Sequence, residues 1–179
     1  GVPRADQLGG AGHAVVVGSP GFLRDRLGVT AVETDRVADS GQTPVVVAVD
    51  GAAVADENFV NILMDVAVLW SLSIRTVLVH GASDQIKALA EQRGVLPSDL
   101  EGSGVTDVAT LKLALTAANR LTHEILEGLS AADLRAAATN AVVAHPLGIL
   151  KGVDHLFTGK VERIDVGLLQ TLLSNGIVP

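Results

Sequence analysis

Two short stretches carry the residue types that could do chemistry. In "VVVAVDGAAVADENF" a run of small and β-branched residues, Val45 to Val49, ends at Asp50-Gly51, and a helix-start signal follows. In "RTVLVHGASDQIKALAEQRG" a second such run ends at His80-Gly81-Ala82-Ser83 and leads into another helical pattern. Strand, glycine turn, helix is an arrangement that can hold a phosphate: glycine lets the backbone approach, and the first helical amides point at the anion. The first turn carries no Lys or Arg, however, and a phosphoryl group in transfer needs positioned positive charge. Asp50 would set a carboxylate beside it. Like charges at ~4 Å repel by about 4 kcal/mol at an effective dielectric of ~20, which costs on the order of a thousandfold in rate. Asp50 and Gly51 therefore read as turn residues ahead of any catalytic role. His80 reads as a hydrogen-bonded histidine at a strand end. A weak ligand-binding reading survives for the second turn, where Gly81 admits a close approach but Ala82 and Ser83 narrow the opening.

These turns need strands and helices to position them, and the pattern supplies both. Val45 to Val49 and Arg75 to His80 predict buried strands. Phe59, Ile62, Leu63, Val66, Ala67 and Trp70 fall on one face of a helix for which Asp56 is the expected N-cap. Ser83 is the expected cap of the next helix and Gly94 its end. "VLPSDLEGSG" is a polar loop. Thr106 then opens the longest helix as cap, with Asp107 as first-turn acid and a stripe of Val108, Leu111, Leu115, Ala118, Ile125 and Leu129. "AADLRAAAT" predicts a short helix, "NAVVAH" a third strand, "PLGILKGVDHLFTG" an irregular connection and "GKVERID" a half-buried strand. "VGLLQTLLSNG" predicts a closing helix, and "IVP" a further strand just beginning. In the first 44 residues, "HAVVVGSPGFLRDRLGV" could hold a short strand and a helical turn. Alternating strands and helices predict a three-layer αβα sandwich with a mainly parallel sheet, whose ligands bind at the carboxyl ends of the strands. Because a strand is starting at Pro179, the domain is expected to continue beyond it, or the chain is an ordered fragment.

Composition removes several functions. The 179 residues carry 13 basic and 20 acidic side chains, a net charge of -7, and only 2% aromatics. With no basic stripe and no aromatic stacking platform, nucleic-acid binding is not expected. Cysteine is absent, so there is no thiolate metal site and no Cys nucleophile; the five histidines show no metal-ligand spacing, and no metal is expected. No apolar run reaches the roughly 20 residues a membrane-spanning helix needs, and the first residues, without a charged start or a long apolar middle, are not expected to be a signal peptide. A cytoplasmic protein without membrane contact is the expectation.

The order of these pieces resembles the amino-acid kinase fold, its N-acetylglutamate kinase branch in particular, and most closely the kinase-like domain of bacterial N-acetylglutamate synthase. Three stretches carry the resemblance: "VVVAVDGAAVADENFVNILMDVAVLWSLSIRTVLVHGA", "GVTDVATLKLA" and "VVAHPLGILKGVDHLFTGKVERIDVGLLQTLLSNGIVP". They place an amino-acid kinase-like N-terminal lobe over residues 44–179 and leave residues 1–43 as an extension that matches nothing.

The resemblance implies the following. The synthase makes N-acetylglutamate from acetyl-CoA and L-glutamate, the first step of arginine biosynthesis, in a separate C-terminal acetyltransferase domain. Its kinase-like domain contributes assembly and feedback by L-arginine. A kinase of this fold instead phosphorylates N-acetylglutamate with ATP. Where such a kinase has Lys-x-Gly-Gly, this chain has Ala48, Val49, Asp50 and Gly51. Where it has His-Gly-Gly-Gly, this chain has His80, Gly81, Ala82 and Ser83. Where it has an Arg before "VTD" to grip the substrate carboxylate, this chain has Gly104. The expectation is a regulatory, homo-oligomer-forming domain without a kinase site. It would have no cofactor of its own, acetyl-CoA serving the parent protein. The alternatives are an active N-acetylglutamate kinase and a stand-alone amino-acid-binding module.

Overall fold

The computed structural model describes residues 44–98 and 105–179, together with the backbone of residues 14–16. Gly104 and almost all of the N-terminal extension lie outside the described residues. The β-branched runs form strands as expected. β1 (Ala14–Val16), β2 (Val45–Val49) and β3 (Thr76–His80) pair in that order, all parallel, with Val47 opposite Leu78 and Val49 opposite His80. α1 (Gly51–Ala55) and α2 (Phe59–Ser71) follow β2, and α3 (Ser83–Arg93) follows β3, ending at Gly94 in the left-handed region with φ of 62°. The long α4 (Val108–Ala131) comes next. The chain then runs through β4 (Val142–Pro146), β5 (Ile149–Leu150), β6 (Val153–Asp154) and β7 (Gly159–Ile164) to α5 (Val166–Ser174).

The core lies on one side of the parallel sheet. Val47 and Val49 meet Phe59, Ile62, Leu63 and Val66 of α2 and Leu121, Ile125 and Leu129 of α4. On the opposite side of β3, Val79 is 47% exposed. The coarse expectation of mixed strands and helices is met by a small parallel sheet with helices against it. The sheet also gains a neighbour beyond β3. The Leu78 N–H donates to the Pro179 carbonyl at 3.0 Å, while Val178 is bridged in parallel to Ala136. The strand read as beginning at "IVP" is this segment, and Val178 is almost fully buried.

Four local expectations are corrected. The third strand, β4, does not join the parallel sheet. It pairs antiparallel with β7, with a register irregularity at Val143/Ala144. The connection between them, residues 147–158, holds the β5–β6 hairpin and no crossover helix, and strands joined without a crossover pair antiparallel. The resulting ribbon is exposed on both faces, so β7 is not half-buried. "AADLRAAAT" continues α4 only to Ala131; Ala136 is held as a bridge to Val178. The apolar stripe of α4 is Leu113, Ala117, Leu121, Ile125 and Leu129 with Thr110, whereas Val108 and Leu115 point outward.

The capping residues also shift. Asp50, not Asp56, caps a helix: its Oδ1 accepts from the Ala53 N–H at 2.8 Å and opens α1. Asp56 instead ends α1, and its carboxylate takes the backbone and side-chain N–H groups of Asn58. The backbone bond from Asn58 holds its pKa below the usual carboxylate value. Asn58 occupies the N-cap of α2. Ser83 is the first residue of α3, whose N-cap is Ala82 with no side-chain cap.

Candidate functional site

The carboxyl ends of β2 and β3 bring the two glycine turns together. The Gly81 N–H donates to the Val49 carbonyl at 2.9 Å, extending the ladder by one residue past the strands. Asp50, Gly51, His80, Gly81, Ala82 and Ser83 thus form one continuous ledge, the place where parallel α/β sheets bind ligands.

The polar side chains of Asp50 and His80 on the ledge are engaged in structural contacts, whereas Ser83 is exposed. The Asp50 carboxylate is spent on the α1 cap. Gly51 is buried, and a Cβ there would strike the side-chain oxygen of Gln85 and stand 3.3 Å from the Asp84 amide. The Gln85 side chain fills the space, so a Cβ at residue 51 could enter only by displacing it. The Gln85 side-chain amide donates to the Gly51 carbonyl at 2.8 Å, so the first turn of α3 is stapled across the first glycine turn. Among the described residues the Gln85 Oε1 is buried without a hydrogen-bond partner. The role of Gln85 could not be read from the residues, since a Gln in a helix's first turn has no spacing signature.

His80 reaches sideways to α4. Its Nε2 lies 3.0 Å from the Thr122 hydroxyl, which is also within hydrogen-bonding distance of the Ala118 carbonyl. The Thr122 hydroxyl either donates to Nε2 or accepts from it, according to the imidazole tautomer. Among the described residues Nδ1 is buried without a hydrogen-bond partner. Burial lowers the pKa of His80 below its ordinary value of 6.5, against an opposing contribution from the Gly81 backbone. The residue is a hydrogen-bonded histidine at the end of β3 that reaches α4.

The ledge has no cation among the described residues. Ala48 faces no phosphate with charge, Asp50 is acidic, and Asp84 adds a second carboxylate in the first turn of α3. The amides of that turn have no side-chain cap, so the second turn keeps a short run of open donors.

The start of α4 forms a separate cluster. Asp107, not Thr106, is the N-cap; its carboxylate accepts from the Thr110 N–H at 2.7 Å. That bond holds its pKa below the usual carboxylate value. The Thr106 N–H donates to the Thr158 hydroxyl, and Phe157 N–H to the Thr106 carbonyl, which ties "VTD" to "GVDHLFTG". His145 and Glu162 face each other across the ribbon at 4.0 Å, both half-exposed. Among the described residues no group of His, Asp and Glu could hold a metal ion, and no helix is long and apolar enough to cross a membrane.

Comparison with known proteins places this geometry. The family model "Amino acid kinase family" matches residues 43–179. The amino-acid acetyltransferase of Vibrio cholerae is 37% identical over 150 residues, 79% of this chain and 34% of that protein. The enzyme of the same name from Pseudomonas fluorescens SBW25 is 40% identical over 129 residues, 67% of this chain and 30% of that protein. The chain therefore spans about a third of the length of the curated relatives it matches. N-acetylglutamate synthase from Neisseria gonorrhoeae, solved with coenzyme A and N-acetyl-glutamate, is 27% identical with a TM-score of 0.65, over 74% of this chain and 31% of that one. The same enzyme with coenzyme A and L-arginine is 25% identical with a TM-score of 0.61, over 74% of this chain and 33% of that one.

Proposed function

From the premise that this chain belongs to the amino acid kinase family, we propose that it is the kinase-like part of an N-acetylglutamate synthase and serves assembly and regulation, not phosphoryl transfer. The observation that carries this is the ledge itself. Where a phosphate would lie, the chain offers the Asp50 carboxylate committed to a cap and the Gln85 amide packed over Gly51. Ala48 brings no charge to replace what transfer requires. Likeness to amino-acid acetyltransferases supports the rest of the reading. Acetyl transfer from acetyl-CoA to L-glutamate is assigned to the remainder of the parent protein, in the cytoplasm, and this chain needs no cofactor. L-arginine is the effector in this reading, and Asp50, Gly51, His80, Gly81, Ala82 and Ser83 are a vestigial ligand ledge. Residues 44–179 act as the N-terminal lobe of a three-layer αβα sandwich, with residues 1–43 as an extension.

A homo-oligomer belongs to the same proposal. Val60, Met64, Val68 and Leu72 recur every four residues along the outer side of α2 and are 64%, 52%, 53% and 63% exposed. An apolar stripe of that length facing outward fits a second copy.

The test uses two assays. Given ATP and N-acetylglutamate, the protein is expected to form no ADP; substrate-dependent ADP formation overturns the reading in favour of the kinase. Given acetyl-CoA and L-glutamate, the complete gene product is expected to release coenzyme A. Failure there removes the synthase and leaves a stand-alone amino-acid-binding module.

A further inference from the structure

At the opposite end of the sheet from the glycine turns, Trp70, Arg75, Asp133, Arg135 and Gly176 line an open groove of about 360 Å³. Each arginine has one contact that orients it, with Arg75 half-buried and Arg135 exposed. The Arg75 guanidinium lies over the Trp70 ring, 4.6 Å from its centre, and the indole is fixed in turn by a hydrogen bond from its N–H to the buried Thr76 hydroxyl. Arg135 is anchored by one bond from Nη2 to the Asn175 carbonyl at 2.7 Å. It can come so close because residue 176 is glycine, where a Cβ would stand 2.9 Å from Nη2.

The donor count leaves a surplus. A guanidinium carries five N–H donors. Among the described residues neither arginine forms an ion pair, although Asp133 shares the groove. Three helices end here, α2, α4 and α5, and their C-terminal ends carry partial negative charge that the two arginines offset. Backbone N–H groups of the residues after them take carbonyls of each final turn, and among the described residues Asn175 is the one whose carbonyl accepts from an arginine.

We propose that this groove binds a small oxyanion, a phosphate or carboxylate compound with two or more negative charges, between the stacked guanidinium of Arg75 and the anchored one of Arg135. Planar forks match such oxygens in pairs, and side chains already ordered lose little entropy on binding. The site is separate from the ledge, and the proposal does not depend on the synthase reading.

Trp70 is the one tryptophan of the chain and reports the site directly. Its fluorescence is followed while inorganic pyrophosphate, or separately succinate, is added, with potassium chloride at matched ionic strength as the control. A saturable change with pyrophosphate alone identifies a phosphate ligand, with succinate alone a carboxylate, and with both the shared chemistry. Arg135→Gln leaves the indole and its stacked partner in place and is expected to weaken binding tenfold or more, with circular dichroism unchanged. Arg75→Gln is read by ligand-induced thermal shift, which should vanish. No saturable change with either anion, an equal change with chloride, or an unaltered curve in folded Arg135→Gln overturns the proposal. If Arg135→Gln does not fold, a thermal shift retained by Arg75→Gln overturns it.

Discussion

Gln85 is locked onto Gly51: its side-chain amide donates to the Gly51 carbonyl, and its oxygen occupies the space a Cβ at residue 51 would need. The two residues belong to different βα turns, so this contact decides what the ledge can hold.

The pair predicts a coupled stability effect. Gly51→Ala must push Gln85 aside and lose its hydrogen bond, costing about 1–2 kcal/mol. Gln85→Ala alone costs about 1 kcal/mol. In the Gln85→Ala background, adding Gly51→Ala should cost much less than it does alone. Urea denaturation of the four proteins measures the cycle, and strictly additive values would contradict the contact.

Asp50 is a cap before it is anything else. Asp50→Ala should lose about 1 kcal/mol of stability, whereas Asp50→Asn should keep most of it, because asparagine caps as well. Denaturation midpoints check both. Equal losses in the two variants would mean that the charge, not the cap, matters.

His80 makes stability depend on pH. Its folded pKa lies below 6.5, because burial disfavours the charged ring. The unfolded chain therefore takes up this proton first as pH falls, and stability rises with pH wherever the unfolded state binds more protons. The contribution of His80 is complete above about 6.5 and is lost as pH drops from there toward the folded pKa. In His80→Gln the stability measured between pH 7.5 and 5 should fall less steeply than in the parent.

The outer stripe of α2 separates fold from assembly. Met64→Lys places a charge on a side chain already 52% exposed and should leave the melting temperature of the isolated subunit nearly unchanged. Sedimentation should show a smaller species than the parent. An unchanged assembly would remove α2 from the interface.

The strands at Val45–Val49 and Thr76–His80 and the buried face of α2 could be read directly, because β-branched runs and a single apolar stripe leave one solution. The stripe of α4 could not. That helix carries Leu and Ala on more than one side, so Leu111 and Leu115 compete with Leu113 and Ala117, and only packing against Leu63 and Val66 selects the face. Capping was blurred for a similar reason: Asp50, Asp56, Asn58, Thr106 and Asp107 all suit a cap, and the turn geometry chooses among them. The antiparallel ribbon escaped because a strand's composition does not name its partner. At the candidate site, the missing charge at Ala48 and a hydrogen-bonded His80 at the strand end were legible, whereas Gln85 was not, since a residue that fills a turn from the next helix is visible only in three dimensions.

The bond between Leu78 and Pro179 joins residues about a hundred positions apart, and such distant contacts are closed late in folding. A chain made from its N-terminus has β2 and β3 in hand long before Val178 exists. Until that residue appears, the outer edge of β3 presents unpaired N–H and C=O groups to any passing strand. The interval between synthesis of His80 and of Pro179 is therefore when this protein is most open to pairing with the wrong strand, and a nascent chain halted within it should be more prone to aggregate than one released after it.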